Sequence, residues 1–275
     1  MNSKTANNFA HIKVSSLGLP IFLLALIVLF LYFNDVSTAL SYSEIQKEWF
    51  FLINEKLSKF PHIIYNLTQL GDALVSLSIL SVLLLNVPKI WEALISSSLF
   101  SLIFSIFLKN LFSIPRPAAT LDTHHFVIIG KTLSGHSSLP SGHSITVFTI
   151  LTVLLYALIP KKLTHKFLWI FTFLVFGFSV AFTRVGVGAH YPLDVIIGII
   201  LGYISGLLGI LVINKYNIFG WISYKKYYPF FMMLFLSCLV VLLNKILTEN
   251  LVIFYIAFVN LLYSFYKITA AYVQK

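Results

Sequence analysis

Eight separate apolar runs, each near the length needed to cross a bilayer, divide this sequence and leave few folds open to it. They lie near 17–34, 66–87, 90–109, 143–160, 166–184, 192–213, 228–246 and 250–268. A hydrocarbon core takes roughly 20 apolar residues as helix. Backbone polar groups inside lipid must be satisfied within the structure, which leaves helices or a closed barrel, and the runs lack the alternation of a membrane β-barrel. With 59% apolar and only 10% charged residues, the chain also lies far from soluble composition. The expectation is an all-α, polytopic transmembrane helical bundle forming a single membrane domain over 1–275.

The net charge of +10 does not point to nucleic acid, because the basic residues are scattered among short loops rather than gathered in a stretch. Membrane orientation accounts for them. An N-in, C-in arrangement puts Lys4, Lys13, Lys89, Lys161, Lys162, Lys166, Lys215, Lys225, Lys226, Lys267 and Lys275 on the cytoplasmic side. The first run is expected to stay as an anchor, since Ala39-Leu40-Ser41 lies too far beyond it for signal cleavage. Residues 35–65, with Trp49, Phe50 and Phe51 among charges, suit a helix lying in the interface. Residues 113–140, with Pro115, Pro117, Gly130 and Gly135, suit an irregular loop. The lone Cys238 lies inside an apolar run, where a small buried thiol is expected.

By parity, three polar clusters emerge on one face: Lys109 to Arg116-Pro117, Pro140-Ser141-Gly142-His143, and Arg184 with His190 and Asp194. In the middle cluster Ser141 is a candidate N-cap, Gly142 leaves room for an anion to approach, and free first-turn N–H groups form a cradle. In the first, prolines on both sides of Arg116 hold the backbone extended. Arg116 offers a planar fork to phosphate oxygens and Lys109 a point charge. In the third, Pro192 suits the first position of a helix, which puts His190 just before it and Asp194 in its first turn. A carboxylate that accepts one imidazole N–H leaves the other nitrogen as a lone-pair nucleophile. Taken singly, each feature also has a plain structural account: a capped helix, a snorkelling lysine, an arginine among lipid headgroups, an acid at a helix dipole. Gly198, Gly202 and Gly206 share the Asp194 face and are expected to serve close packing.

Together, K-x6-RP, PSGH and R-x5-H-x3-D resemble the signature of the type 2 phosphatidic acid phosphatase superfamily of membrane lipid phosphatases. The motifs span residues 109–194, and the first six runs, 17–213, resemble that family's six-helix core; residues 228–268 would add two further transmembrane helices. Thr183 stands where the family usually has serine. The resemblance implies that His190 attacks phosphorus to form a phosphohistidine, Asp194 orients it and His143 passes a proton to the leaving group. Lys109, Arg116, Ser141, Gly142 and Arg184 would bind the phosphoryl oxygens.

The function expected from this is hydrolysis of a lipid phosphomonoester or diphosphate at the outer face of a bacterial cytoplasmic membrane, without metal or cofactor. Undecaprenyl diphosphate, lipid A phosphate groups and phosphatidylglycerophosphate are the candidate substrates. Phosphoryl transfer to a second lipid is a close alternative. A lipid-phosphate transporter or flippase is a distant one, because no repeated halves are visible and the charges gather at one surface. Partners are membrane lipids and the lipid phosphate, not nucleic acid. Asp122, His124, His125 and His136 share the 113–140 loop, but their irregular spacing suits solvated residues better than a metal site.

Overall fold

The computed structural model describes residues 2–274, so Lys275 of the charge count lies outside the described residues. The fold is an all-α bundle. The helices are α1 (Asn2–Ala10), α2 (Gly18–Phe33), α3 (Ala39–Glu44), α4 (Lys47–Leu57), α5 (Pro61–Thr68), α6 (Ala73–Leu80), α7 (Leu83–Asn86) and α8 (Pro88–Phe112). They continue as α9 (Pro117–Thr120), α10 (Gly142–Ala157), α11 (Leu163–Gly186), α12 (Pro192–Lys215), α13 (Tyr228–Glu249) and α14 (Val252–Val273). Among the described residues six helices are long and apolar enough to cross a membrane. Their outward faces are greasy, with Leu102, Ile103, Ile106 and Phe107 on α8 and Phe167, Leu168 and Phe171 on α11 all exposed, as lipid contact requires. The chain is an integral membrane protein.

Two of the eight expected spans differ from a plain crossing. The second, read as 66–87, is broken: the helical segments on either side of Asp72 meet at 78°. Asp72 leaves the helix in an extended conformation and caps α6 by accepting the Leu74 N–H at 2.9 Å, so the turn has its own polar satisfaction. Gly71 at the bend lies under His143, where a Cβ would come within 2.5 Å of the histidine Cβ. The fourth, α10, has only 16 residues. Its faces are covered by α8, α11 and α12 rather than lipid, so protein packing takes the place of spanning length.

The α10–α12 contact sets the geometry of the site. A Cβ on Gly198 would lie 2.8 Å from the Ser141 carbonyl oxygen, one on Gly202 2.4 Å from that of Ile145, and one on Gly206 2.5 Å from the Thr152 Cβ. This bare stripe lets the two backbones touch, as its sequence spacing suggested. At its end the Ser141 N–H donates to the Asp194 carbonyl at 3.0 Å, which binds the start of α10 to the start of α12.

The segment 35–65 does hold surface helices. On α4, Phe50 and Asn54 are buried while Trp49 is 63% exposed, and its inner face packs on α11. The 113–140 stretch is loop apart from α9 and one 3₁₀ turn. The polar N-terminal α1 was not expected. It seals the end of the bundle opposite the clusters, with Asn8 donating to the Ala157 carbonyl and Asn214 to that of Phe9. The α13–α14 hairpin buries Phe231, Phe235, Leu242 and Phe254 and joins the broken span through Lys245–Asp72 at 3.0 Å and Tyr65–Glu249 at 2.7 Å.

Candidate active site

All three clusters meet at one end of the bundle. Lys109 lies in the last turn of α8, which ends at Ser113 in the left-handed conformation, its N–H on the Lys109 carbonyl at 3.0 Å. Beyond it Arg116 is extended, with φ −76° and ψ 161°, as its flanking prolines require. Arg184 sits in the last turn of α11, His190 in the short link to α12, and Asp194 in the first turn of α12 behind Pro192. Arg184, His190 and Asp194 are all buried, whereas Lys109 and Arg116 are half-buried.

The start of α10 presents an open helix N-terminus beside a cation. Ser141 is the N-cap, accepting the Ser144 N–H at 3.4 Å. A Cβ on Gly142 would meet the Lys109 Nζ and the Ser105 Oγ, each at 3.3 Å, so the ammonium stands over the bare glycine at a helix N-terminus. Side chain, dipole and free N–H groups all favour negative charge at this point. Arg184, Lys109 and Arg116 surround His143 with positive charge.

Arginine carries donors only. The Arg116 guanidinium lies 3.3 Å from His190 Nε2 and also donates to the Ala189 carbonyl at 3.1 Å, so Nε2 is the acceptor and the ring proton belongs on Nδ1. Nδ1 faces Asp194 Oδ2 at 3.5 Å and makes no hydrogen bond at that separation. The carboxylate is instead held by others: Tyr42 donates to Oδ1 at 2.8 Å, while Ser138 at 2.6 Å and the Tyr191 N–H at 2.9 Å donate to Oδ2. Arg184 donates to Thr68 Oγ1 at 3.0 Å, and among the described residues its buried Nε has no partner.

Burial, reinforced by Arg116, Arg184 and Lys109, holds the His190 imidazole well below its ordinary pKa. Its neutral form therefore persists through pH 6.5 and below. A titration of this ring followed by NMR is therefore expected to break beneath the ordinary imidazole range. A break at the ordinary value, near 6.5, would mean that His190 titrates like an exposed ring. Burial beside Asp194 pushes the Tyr42 phenol well above its usual value, so it remains a donor throughout this range.

All eight residues singled out in the sequence thus stand at the cluster end. Thr183, the departure from the usual serine, donates to the Val180 carbonyl at 2.5 Å on its own helix. Asp122 caps the turn that follows it by accepting the His124 N–H, and the exposed His125 lies 3.6 Å from its carboxylate. Among the described residues no three His, Cys, Asp or Glu side chains form a metal-binding group. Tyr42, Thr68 and Ser138 were not anticipated: they lie in a surface helix, a broken span and a loop, none of which had a local signal for the site.

Comparison with known proteins agrees with this layout. The chain is similar to LpxE of Aquifex aeolicus, whose crystal structure matches with a TM-score of 0.50 at 29% identity, covering 62% of this chain and 96% of that one. No curated protein matches. The family model described as the PAP2 superfamily matches residues 91–218, a stretch that opens in α8 and contains all three clusters.

Proposed function

We propose that this protein is a lipid phosphatase that works through a phosphohistidine on His190 and needs no metal. The match to the PAP2 family model and the likeness to LpxE support a lipid phosphatase of the PAP2 type. The observation that carries the finer reading is the His190 ring, whose Nε2 faces the guanidinium of Arg116 while Nδ1 faces Asp194. That is the tautomer a nucleophile needs, aimed at the place where cations would hold phosphorus.

In the proposed reaction Lys109, Arg116, Arg184, Ser141 and the amides beyond Gly142 restrain the phosphoryl oxygens. Charge spread over three oxygens is what such preorganised donors stabilise. His190 Nε2 forms a bond to phosphorus as the bond to the lipid oxygen breaks, and His143 gives that oxygen its proton. Neutral again, His143 takes a proton from water, which attacks phosphorus and releases inorganic phosphate and His190. Three fixed cations supply the positive charge that a metal supplies elsewhere.

The catalytic core in this reading is 17–213, with 228–268 as added helices, and the site faces the exterior of a bacterial cytoplasmic membrane with both termini inside. The substrate is a lipid phosphomonoester or diphosphate of the undecaprenyl diphosphate, lipid A or phosphatidylglycerophosphate class, with transfer to a second lipid as the variant reaction. Purified protein in detergent, given a panel of these lipids with excess chelator, is expected to release inorganic phosphate at the rate seen without chelator. Activity that disappears with chelator and returns with a divalent cation would overturn the metal-free mechanism.

A further inference from the structure

We propose that Tyr42 and Ser138 are positioning residues for the reaction, holding the Asp194 carboxylate so that it can steer His190. The assignment rests on the reading of His190 and Asp194 as the reacting pair.

Asp194 is completely buried, and a carboxylate in that position needs donors on both oxygens. Among the described residues Tyr42 alone serves Oδ1. Ser138 and the Tyr191 N–H share Oδ2, the oxygen that also faces His190 Nδ1. The Ser138 hydroxyl holds the carboxylate on the same oxygen that faces the ring.

Both residues are themselves fixed. The Ser138 N–H donates to the Ile114 carbonyl at 2.9 Å, which anchors the loop to the segment just before Arg116. Tyr42 lies on α3, whose N-cap Thr38 forms a capping box with Ser41. Gln46 then ties this surface segment to α12, donating to the Tyr42 carbonyl at 2.8 Å and accepting the Leu193 N–H at 2.9 Å. A polar strut therefore runs from the surface helices to the carboxylate. Without it, Asp194 could turn its Oδ2 away from a ring that already stands 3.5 Å off. Neither residue lies within reach of the phosphate cradle through any hydrogen bond, so their influence passes through Asp194.

The test uses the full-length protein in detergent with a lipid phosphate that the wild type hydrolyses. Tyr42→Phe keeps the ring and removes only the donor; Ser138→Ala does the same for the loop. Each is expected to lower kcat by about 10-fold to 100-fold, the scale of one hydrogen bond to a charged group, with KM within about twofold. In an Asp194→Ala background Tyr42→Phe should cost little more, because a residue that acts through the carboxylate has nothing left to act on. Unchanged kcat in both variants, a change confined to KM, or full additivity with Asp194→Ala would each overturn the assignment. If Asp194→Asn alone retains wild-type activity, the reading of the reacting pair fails instead.

Discussion

His190→Ala is expected to lower phosphate release by about 10⁵-fold to 10⁶-fold while leaving lipid phosphate binding nearly intact, the scale seen when a covalent nucleophile is removed from an enzyme. The separation follows from the layout. The groups proposed to hold the phosphoryl oxygens come from α8, the following loop, α10 and α11, none of which depends on the imidazole for its position. Arg116 keeps its bond to the Ala189 carbonyl when the ring is gone, and Arg184 keeps Thr68. A truncated ring therefore leaves an anion site without its attacking atom. Turnover by phosphate release, paired with calorimetric binding of the same lipid in detergent, measures both quantities. Wild-type protein quenched during turnover should carry an acid-labile phosphoryl group that the variant lacks. Residual activity above about one part in 10³ would show that water, not His190, attacks phosphorus.

The parts of this site that the sequence revealed are those set by local chemistry. Ser141-Gly142 announces a helix start, and Pro192 fixes where α12 begins, so His190 and Asp194 fall on adjacent turns whatever surrounds them. The glycine stripe on α12 was visible for the same reason, because a fixed spacing puts small residues on one helix face. What stayed hidden depends on chain segments far apart. Tyr42 meets Asp194 across 152 residues, and Ser138 across 56, in stretches whose composition says only surface helix or loop. The break at Asp72 was masked by the apolar residues on both sides, which average to a plain span; only the packing of His143 onto Gly71 gives the bend its purpose. The short α10 was overestimated because hydropathy does not distinguish a helix wrapped in protein from one wrapped in lipid.

Asp194→Asn is the second large effect expected, a loss of about 10³-fold to 10⁴-fold in kcat by analogy with other histidine–carboxylate pairs. The cause here is charge more than geometry. An amide NH₂ placed at Oδ2 would face two donors, the Ser138 hydroxyl and the Tyr191 N–H, and is disfavoured. The asparagine therefore turns its NH₂ toward Tyr42, whose hydroxyl can rotate to accept, and leaves a neutral oxygen facing His190 Nδ1. Ring orientation survives, but the positive charge that develops on the imidazole as Nε2 bonds to phosphorus meets no counter-ion in a site already holding three cations. KM should stay within about threefold, and phosphoenzyme formation in a single turnover should slow as much as steady-state release. A variant that forms phosphoenzyme at the wild-type rate and is slow only in hydrolysing it would place the work of Asp194 in the second step. The carboxylate would then serve the attacking water rather than the nucleophile.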